Sequence, residues 1–314
     1  MIKILITGGA GFVASSLADR FLQSDQYEVL LVDNLLTGDL RKVPNHVRCT
    51  FIKCDVNRYD EISAIMTSHR FDYVFHYAAV VGVQRTLENP LMVLNDLEGI
   101  RNVLTLSKNT GVKRVFFSSS SEVYGEPVEL PQNEETTPLN SRLPYAIVKN
   151  VGESFCRSFQ QEHGLDFTIF RFFNTYGPKQ STDFVISKFL NAALDDKPIT
   201  IYGTGNQTRT FCYIDDNTEC TLKMLENNLM INEVINIGNA HNVTILEVAE
   251  LIIGLTKSKS ELKFLPPLKE GDMTRRQPDS GKMKTVLQKE LISLEAGIQK
   301  ILDSKMIFIK NAVS

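Results

Sequence analysis

The 314-residue chain has no long apolar run, no cysteine pair at short spacing and no excess of one charge. Each absence removes a class of function. Lysine and arginine number 34 against 37 acidic residues, a net charge of −3, so no bulk polycation is offered to nucleic acid or an acidic membrane surface. Any phosphate must be held locally. No stretch approaches the length of a membrane span, and the apolar run from Ile2 to Ile6 is too short for a secretory signal. The five cysteines, Cys49, Cys54, Cys156, Cys212 and Cys220, sit within apolar runs and are expected to be reduced and buried. No metal is expected. Neither an internal repeat nor a low-complexity linker appears. The length suits one large or two small domains with a sizeable core, and a soluble, cytoplasmic protein is the expectation.

What is present is an ordered alternation. Ile2 to Ile6 has a buried-strand pattern and leads into Thr7-Gly8-Gly9-Ala10-Gly11-Phe12-Val13-Ala14, followed by a helical pattern through Phe21. Gly8, Gly11 and Ala14 fill the G-x-x-G-x-x-A form of the dinucleotide fingerprint. The glycines permit a tight turn and close backbone approach, and the small third residue lets helix and sheet pack. A pyrophosphate then sits on the helix N-terminus, at Phe12 and Val13. A second strand, Tyr27 to Val32, ends at Asp33, where an acid is expected to hold the ribose hydroxyls. That carboxylate repels a 2′-phosphate, and neither Asn34 nor Leu35 supplies a compensating charge, so NAD is favoured over NADP.

Cys49 to Cys54 is strand-like and ends at Asp55 and Val56, placed to meet an adenine edge. Tyr73 to His76 is a further short buried run, and Ala78 and Ala79 after it are small enough to admit a cofactor. His76 reads as a packed or backbone-bonded histidine and not as a base. Pro90 to Lys108 has the spacing of one long helix. Lys113 to Phe117 is a strand that delivers Ser118 onward to its C-terminal end, the edge at which open parallel sheets bind ligands. With Asp166 to Phe170 the pattern predicts an α/β fold, a Rossmann-type doubly wound parallel sheet.

Tyr145 and Lys149 are four apart in a segment that Pro144 opens as a helix, so they share a face. A phenol is a poor base at neutral pH, and an ammonium beside it favours the phenolate. Such a pair can take a proton from a sugar or alcohol hydroxyl while a neighbouring acceptor takes the hydride. Beyond Phe172 the pattern changes to a turn-rich break, Asn174 to Pro178, then a helix from Asp183 to Ala193 and a strand from Pro198 into a Gly-x-Gly turn. Arg209 follows as a candidate phosphate clamp, its planar fork suited to bidentate binding. Thr244 to Thr256 is an amphipathic helix with Thr244 as its cap, and Arg275-Arg276 marks a second basic turn. The expected division is an NAD-binding domain of residues 1–173 with 211–237, and a smaller C-terminal substrate domain of residues 174–210 with 238–314.

TGGAGFVA, SSSSEVYG, YAIVK, RFFNTYGP, YGTGNQTRTF and NIGN, spread from Ile2 to about Gly297, make the chain resemble the extended short-chain dehydrogenase/reductases that modify nucleotide-diphosphate sugars. The resemblance implies a catalytic triad of Ser120, Tyr145 and Lys149, oxidation of a sugar hydroxyl at C4 by NAD, and sugar-nucleotide contacts from Asn174, Tyr202, Arg209 and Arg276. It also implies a homodimer or higher homo-oligomer, joined through Pro90 to Lys108 and Pro144 to His163. Within the family the chain is similar to UDP-glucuronate decarboxylases in Ser120 to Gly125 and at Arg276. The loop from Val80 to Thr86, with Val81 and Arg85 placed to meet the sugar, is nearer the 4-epimerases.

Asp96 stands where most relatives have asparagine, and the tryptophan usual near the C-terminus is missing, the whole chain having none. Ser121 replaces the aspartate with which sugar 4,6-dehydratases protonate the leaving hydroxyl, and a serine hydroxyl is far too weak an acid for that step. Glu122 is left as a base or a substrate-orienting carboxylate, or else as a helix-capping or surface glutamate.

The resulting expectation is C4 oxidation ending in 4-epimerisation or a 4-keto product, with UDP-glucuronate decarboxylation as the runner-up. A non-catalytic NAD-sensing regulator is the rival from another class, since a fold does not fix function, but a regulator has no need of Tyr145 and Lys149. Calorimetry should show NAD binding more tightly than NADP; equal affinities would overturn the reading of Asp33.

Overall fold

Short runs of β-branched and aromatic residues alternate with helix-forming stretches, and each folds according to its period. A computed structural model describes residues 1–267 and 276–304, the side chains of residues 83 and 84 apart. It opens with β1 (Ile2–Thr7), α1 (Phe12–Leu22), β2 (Tyr27–Asp33), β3 (Cys49–Lys53), α2 (Tyr59–His69) and β4 (Tyr73–His76). There follow α3 (Val83–Glu88), α4 (Pro90–Leu94), α5 (Asp96–Thr110), β5 (Arg114–Ser120), α6 (Pro144–His163) and β6 (Asp166–Phe172). Next come β7 (Thr175–Tyr176), α7 (Val185–Leu194), β8 (Ile199–Tyr202), β9 (Thr208–Thr210), β10 (Cys212–Tyr213) and α8 (Ile214–Glu226). The described chain closes with β11 (Glu233–Ile237), β12 (Asn242–Thr244), α9 (Ile245–Thr256), β13 (Leu262–Leu265), α10 (Gly281–Leu287) and α11 (Leu294–Asp303).

Seven strands form one sheet in the order β11-β6-β5-β4-β1-β2-β3. The ladders from β3 across to β6 are all parallel, with Thr7 at the end of β1 level with Val32 on one side and His76 on the other. Strand order reverses at β1, so the C-terminal ends of β1 and β4 flank the switch point of a Rossmann-type sheet. Because both faces are covered at the centre of the sheet, β1 runs apolar without alternation: Ile4, Leu5 and Ile6 are wholly buried. One face carries a row of rings, with Phe75 stacked on Phe116 at 4.3 Å and Phe116 on Phe170 at 5.8 Å. On the other face Phe117 presses so closely on α6 that a Cβ at Gly152 would lie 2.3 Å from its ring.

The helix expected from Pro90 to Lys108 is two helices, α4 and α5, broken at Asn95. There the Glu98 amide donates to the Asn95 carbonyl, tightening the turn, while the Asp96 carboxylate is drawn aside by the Val80 amide at 2.7 Å. Of the cysteines expected to be buried, Cys49 is only half-buried, because the edge strand β3 is covered on one side alone. Among the described residues no helix is long and apolar enough to cross a membrane.

The chain gathers into two compact units: Met1–Gly125, Pro138–Phe172 and Thr218–Asn236 form the first. The second comprises Glu126–Thr137, Phe173–Asn217 and the described residues of Ile237–Ser314. In the second unit β9 pairs antiparallel with β12, and β8 pairs parallel with β13. Thr244 caps α9 as expected, in a reciprocal box with Glu247.

A buried ion pair braces the first unit. Glu153 on α6 receives Arg171 Nε at 3.0 Å and Nη2 at 2.8 Å, with both side chains 3% exposed. Ser119 Oγ donates to Glu153 at 2.6 Å, Arg171 Nη1 donates to the Tyr124 hydroxyl at 2.9 Å, and that hydroxyl donates to Asn236 Oδ1 at 2.7 Å. Burial alone would lower the Arg171 pKa, but the hydrogen bonds and charge of Glu153 outweigh it and hold it above its ordinary value. Removing one partner strands the other charge in the core, so Glu153→Gln should cost about 3–5 kcal/mol in urea unfolding. Glu153→Leu combined with Arg171→Met should recover much of that loss. A loss under about 1 kcal/mol, the scale of a surface pair, would show that the brace does not carry stability.

Candidate active site

The site is built at the C-terminal ends of β1, β4 and β5. Gly8 has φ +68°, and a Cβ there would lie 2.8 Å from the Ala78 amide, so both conformation and closeness require glycine. The neighbouring Thr7 hydroxyl is wholly buried and accepts from the amides of Tyr77 and Ala78, each at 3.0 Å. Its third contact is His76 Nδ1, 2.9 Å away. With both lone pairs taken, the hydroxyl donates its proton to Nδ1, which fixes His76 as the neutral Nε2–H tautomer. Burial, aided by the Lys149 charge, pulls the His76 pKa down to about 3. His76 is a packed histidine, as expected, but a threonine side chain and not the backbone is what holds Nδ1.

Asp33 is buried at the end of β2, its carboxylate accepting from the Ala10 amide at 3.1 Å and the Leu35 amide at 2.7 Å. Burial pushes its carboxyl above the usual range, against those two amides and the Lys42 charge. Asn34 accepts from the Leu36 amide at 2.9 Å, and Asp55 accepts from the Asn57 amide at 3.0 Å beside the buried Val56. No side chain caps the first turn of α1, so the amides of Phe12 and Val13 are available to an anion. A left-handed glycine, an uncapped helix start, the small Ala78 and Ala79, and an acid at the end of β2 fit a dinucleotide.

Ser120 ends β5, nearly buried, and its Oγ accepts from the Glu122 amide at 3.1 Å, which leaves its own proton to donate elsewhere. Pro144 starts α6, placing Tyr145 in the first turn and Lys149 one turn later. Lys149 is 3% exposed, and its Nζ donates to Ser118 Oγ at 3.3 Å. That nitrogen lies 5.2 Å from the Phe117 ring centre and 5.7 Å from that of Tyr145. Burial lowers the Lys149 pKa to about 8 against the opposing pull of Asp96. The amine thus lies beside the phenol, 5.7 Å from its ring centre, with burial working against its charge. Ser118 is a partner the sequence reading did not single out, since four serines in a row leave the choice to tertiary contact.

Glu122 is half-buried in a single 3₁₀ turn that Ser120 caps. Val81 is exposed beside Gly82, and Arg85 donates back to the Val81 carbonyl at 2.9 Å. In the second unit Asn174 donates to the Thr210 carbonyl at 3.0 Å, next to the half-buried Arg209, whose Nη1 donates to the Thr208 carbonyl at 2.8 Å. Tyr202 has Lys188 Nζ 5.3 Å from its ring centre, and Arg276 is buried.

Residues 4–238 match the model of the NAD dependent epimerase/dehydratase family. The chain is 36% identical to UDP-glucuronic acid decarboxylase 1 of Danio rerio, over 95% of this chain and 71% of that protein. Its structure is similar to that of the UDP-glucose 4-epimerase of Thermotoga maritima with UDP-glucose, at 31% identity and a TM-score of 0.90, covering 96% and 98% of the two chains. It is also similar to the UDP-glucuronic acid 4-epimerase of Bacillus cereus in complex with UDP-glucuronic acid and NAD, at 30% identity and a TM-score of 0.87, covering 96% and 98%.

The histidine generates a pH prediction. Between about 3, its value in the fold, and the ordinary 6.5, the unfolded chain binds a proton that folded His76 refuses. Its contribution therefore makes stability rise with pH across that window and fall as pH drops through it. NMR should find no protonation step for His76 between about pH 5 and 8, where an ordinary imidazole titrates; a step near 6.5 would refute the buried neutral tautomer.

Proposed function

The chain belongs to the NAD dependent epimerase/dehydratase family, and from that premise we propose that it oxidises a nucleotide-diphosphate sugar at C4, ending in 4-epimerisation or a 4-keto product. The observation that supports this reading is the buried Lys149 Nζ, 3.3 Å from Ser118 Oγ on β5 and 5.7 Å from the Tyr145 ring centre, with Ser120 closing the same strand. In this reading Tyr145 takes the C4 hydroxyl proton, Ser120 donates a hydrogen bond to the same oxygen, and Lys149 lowers the phenol pKa. Bound NAD supplies the acceptor for the C4 hydride. Gly8, Gly11, Phe12 and Val13 hold its pyrophosphate, Asp33 and Asn34 its adenosine ribose, Asp55 and Val56 its adenine, and Ala78 and Ala79 leave it room. Asn174, Tyr202, Arg209 and Arg276 are assigned to the sugar nucleotide, with Val81 and Arg85 at the sugar. Uridine is the favoured base, supported by the UDP-sugar enzymes to which the chain is similar.

Decarboxylation of UDP-glucuronate is the second reading, favoured by the identity to the Danio rerio decarboxylase and by Glu122, two residues from Ser120. In that case Glu122 and the buried Arg276 act on the sugar carboxylate. We also infer a homodimer or higher homo-oligomer through α4, α5 and α6. Leu91, Leu94 and Ile147 lie 76%, 38% and 41% exposed on those helices, apolar surface that a second copy would cover. Mostly buried cysteine thiols suit a reducing cytoplasm.

Purified protein incubated with UDP-, GDP-, CDP- and dTDP-sugars should convert a neutral UDP-sugar to its 4-epimer or 4-keto form, seen by NMR and mass spectrometry. Tyr145→Phe should lose about 10²–10⁴-fold in kcat. Carbon dioxide released from UDP-glucuronate would promote the second reading, and full turnover by Tyr145→Phe would remove the mechanism. Light scattering on the same sample should report at least twice the 35.4 kDa chain mass; a monomer would dispose of the assembly.

A further inference from the structure

The segment Glu126–Thr137 lies in the chain between Ser120 and Tyr145, yet it belongs to the second unit. Within that unit it is bound to the stretch that follows Arg276. The Gln132 amide donates to the Gln277 carbonyl at 2.7 Å, and the Asp279 amide donates to the Gln132 carbonyl at 2.8 Å. Pro278, which has no amide to offer, stands opposite Gln132 in this isolated parallel bridge. Beside it Asn133 Nδ2 donates to Asp279 Oδ2 at 3.0 Å, and Lys282 Nζ lies 3.1 Å from Glu135 Oε1. Gln132 is wholly buried.

Asn133 is fixed from its own side as well. Its amide donates to Thr137 Oγ1 at 2.8 Å, and its Oδ1 accepts from the amides of Glu135 and Thr136 at 2.9 and 3.3 Å. The hydroxyls of Thr136 and Thr137 both donate to Glu129. Residues 277–280 are also tied to the turn after β11. Gln277 Nε2 donates to the Ala240 carbonyl at 3.0 Å, and Ser280 Oγ donates to that of Gly238 at 2.8 Å. These residues lie outside every helix and extended strand, so such bonds fix the backbone from which the buried Arg276 departs. A guanidinium fork makes its two-point contact only when its base is held to within about 0.5 Å.

We propose that Asn133 is a positioning residue: through Asp279 it straps residues 277–280 to the Glu126–Thr137 segment and so sets Arg276 where it grips a uridine diphosphate. The inference rests on the substrate role given to Arg276 above, and Asn133 acts through that arginine. The pair can be inverted. Asn133→Asp sets two carboxylates against each other at the 3.0 Å contact, whereas adding Asp279→Asn restores one donor and one acceptor with their places exchanged. Asp279 Oδ1 accepts from the Gly281 amide at 2.9 Å, a bond that an asparagine oxygen keeps.

The test is calorimetric titration of the full chain, loaded with NAD, with UDP. Asn133→Asp should weaken UDP binding about tenfold and leave NAD affinity unchanged. It should also speed hydrogen exchange in peptides covering residues 276–282, and the double variant should recover both the affinity and the protection of the parent. Arg276→Ala, titrated in parallel, should weaken UDP at least as much. A merely structural role would lower stability without separating UDP from NAD. UDP binding by Asn133→Asp equal to the parent's, beside a weakened Arg276→Ala, would overturn the strap alone, as would a double variant no better than the single one. Absence of UDP binding by the parent, or an Arg276→Ala variant that binds it unchanged, would overturn the role of Arg276 and the proposal with it. If Asn133→Asp does not fold, Asn133→Ala decides, since it removes the bond without adding a charge. Weaker UDP binding there supports the strap, and binding equal to the parent's overturns it.

Discussion

The Glu153–Arg171 pair is the constraint on which the site's geometry depends. A carboxylate and a guanidinium taken out of water each cost several kcal/mol, and close hydrogen-bonded contact is what offsets that cost. The geometry is therefore narrow: Glu153 must sit over the ends of β5 and β6, where Ser119 and Arg171 reach it. Glu153 is one turn beyond Lys149 and two beyond Tyr145 on the same helix. Fixing its position fixes the rotation and height of α6, and so aims the phenol and the amine at the sheet edge. Gly152 completes the fit by letting Phe117 lie against the helix backbone.

At the edge itself polar groups are used to capacity. The Thr7 hydroxyl makes three contacts and leaves His76 uncharged, so the turn between Gly8 and Ala78 is held without adding a positive charge beside Lys149. Lys149 is then a buried amine between the Phe117 and Tyr145 rings with Ser118 as its hydrogen-bond partner, where little water screens its effect on the phenol. Asp33 shows the same economy, its carboxylate being oriented by two backbone amides before any ligand is considered. Such pre-arranged groups need little reorganisation when a reaction develops charge.

Much of this was legible in the sequence where the signal is local. Strand period, the glycine spacing at Gly8 and Gly11 and an acid closing β2 are each decided within a few residues, and the sheet follows the pattern they predict. The four-residue interval between Tyr145 and Lys149 needs only a helix to have meaning. What was missed depends on distant partners. The break at Asn95 involves an amide at position 80, and the His76 contact comes from Thr7, 69 residues away. Helix α8 was not singled out in the sequence, and polar residues of its early turns, Asp216, Asn217 and Thr221, are buried alongside Ile214, Cys220 and Met224. Cys49 followed its apolar neighbours in sequence but lies on an edge strand that only β2 covers.

The first unit is assembled from three separated stretches, and its brace runs from Ser119 to Asn236. During synthesis the chain emerges in order, so Glu153 and Arg171 can meet while Asn236 is still unmade. The Tyr124 hydroxyl then waits without its acceptor, and β6 remains an open sheet edge until β11 arrives to pair with it. The intervening Phe173–Asn217, which belongs to the second unit, must be produced during that interval. The nascent chain thus passes through a period with an exposed strand edge and an unfinished polar core. Its vulnerability to aggregation is concentrated between the making of residue 172 and that of residue 237, and a slower ribosome prolongs it.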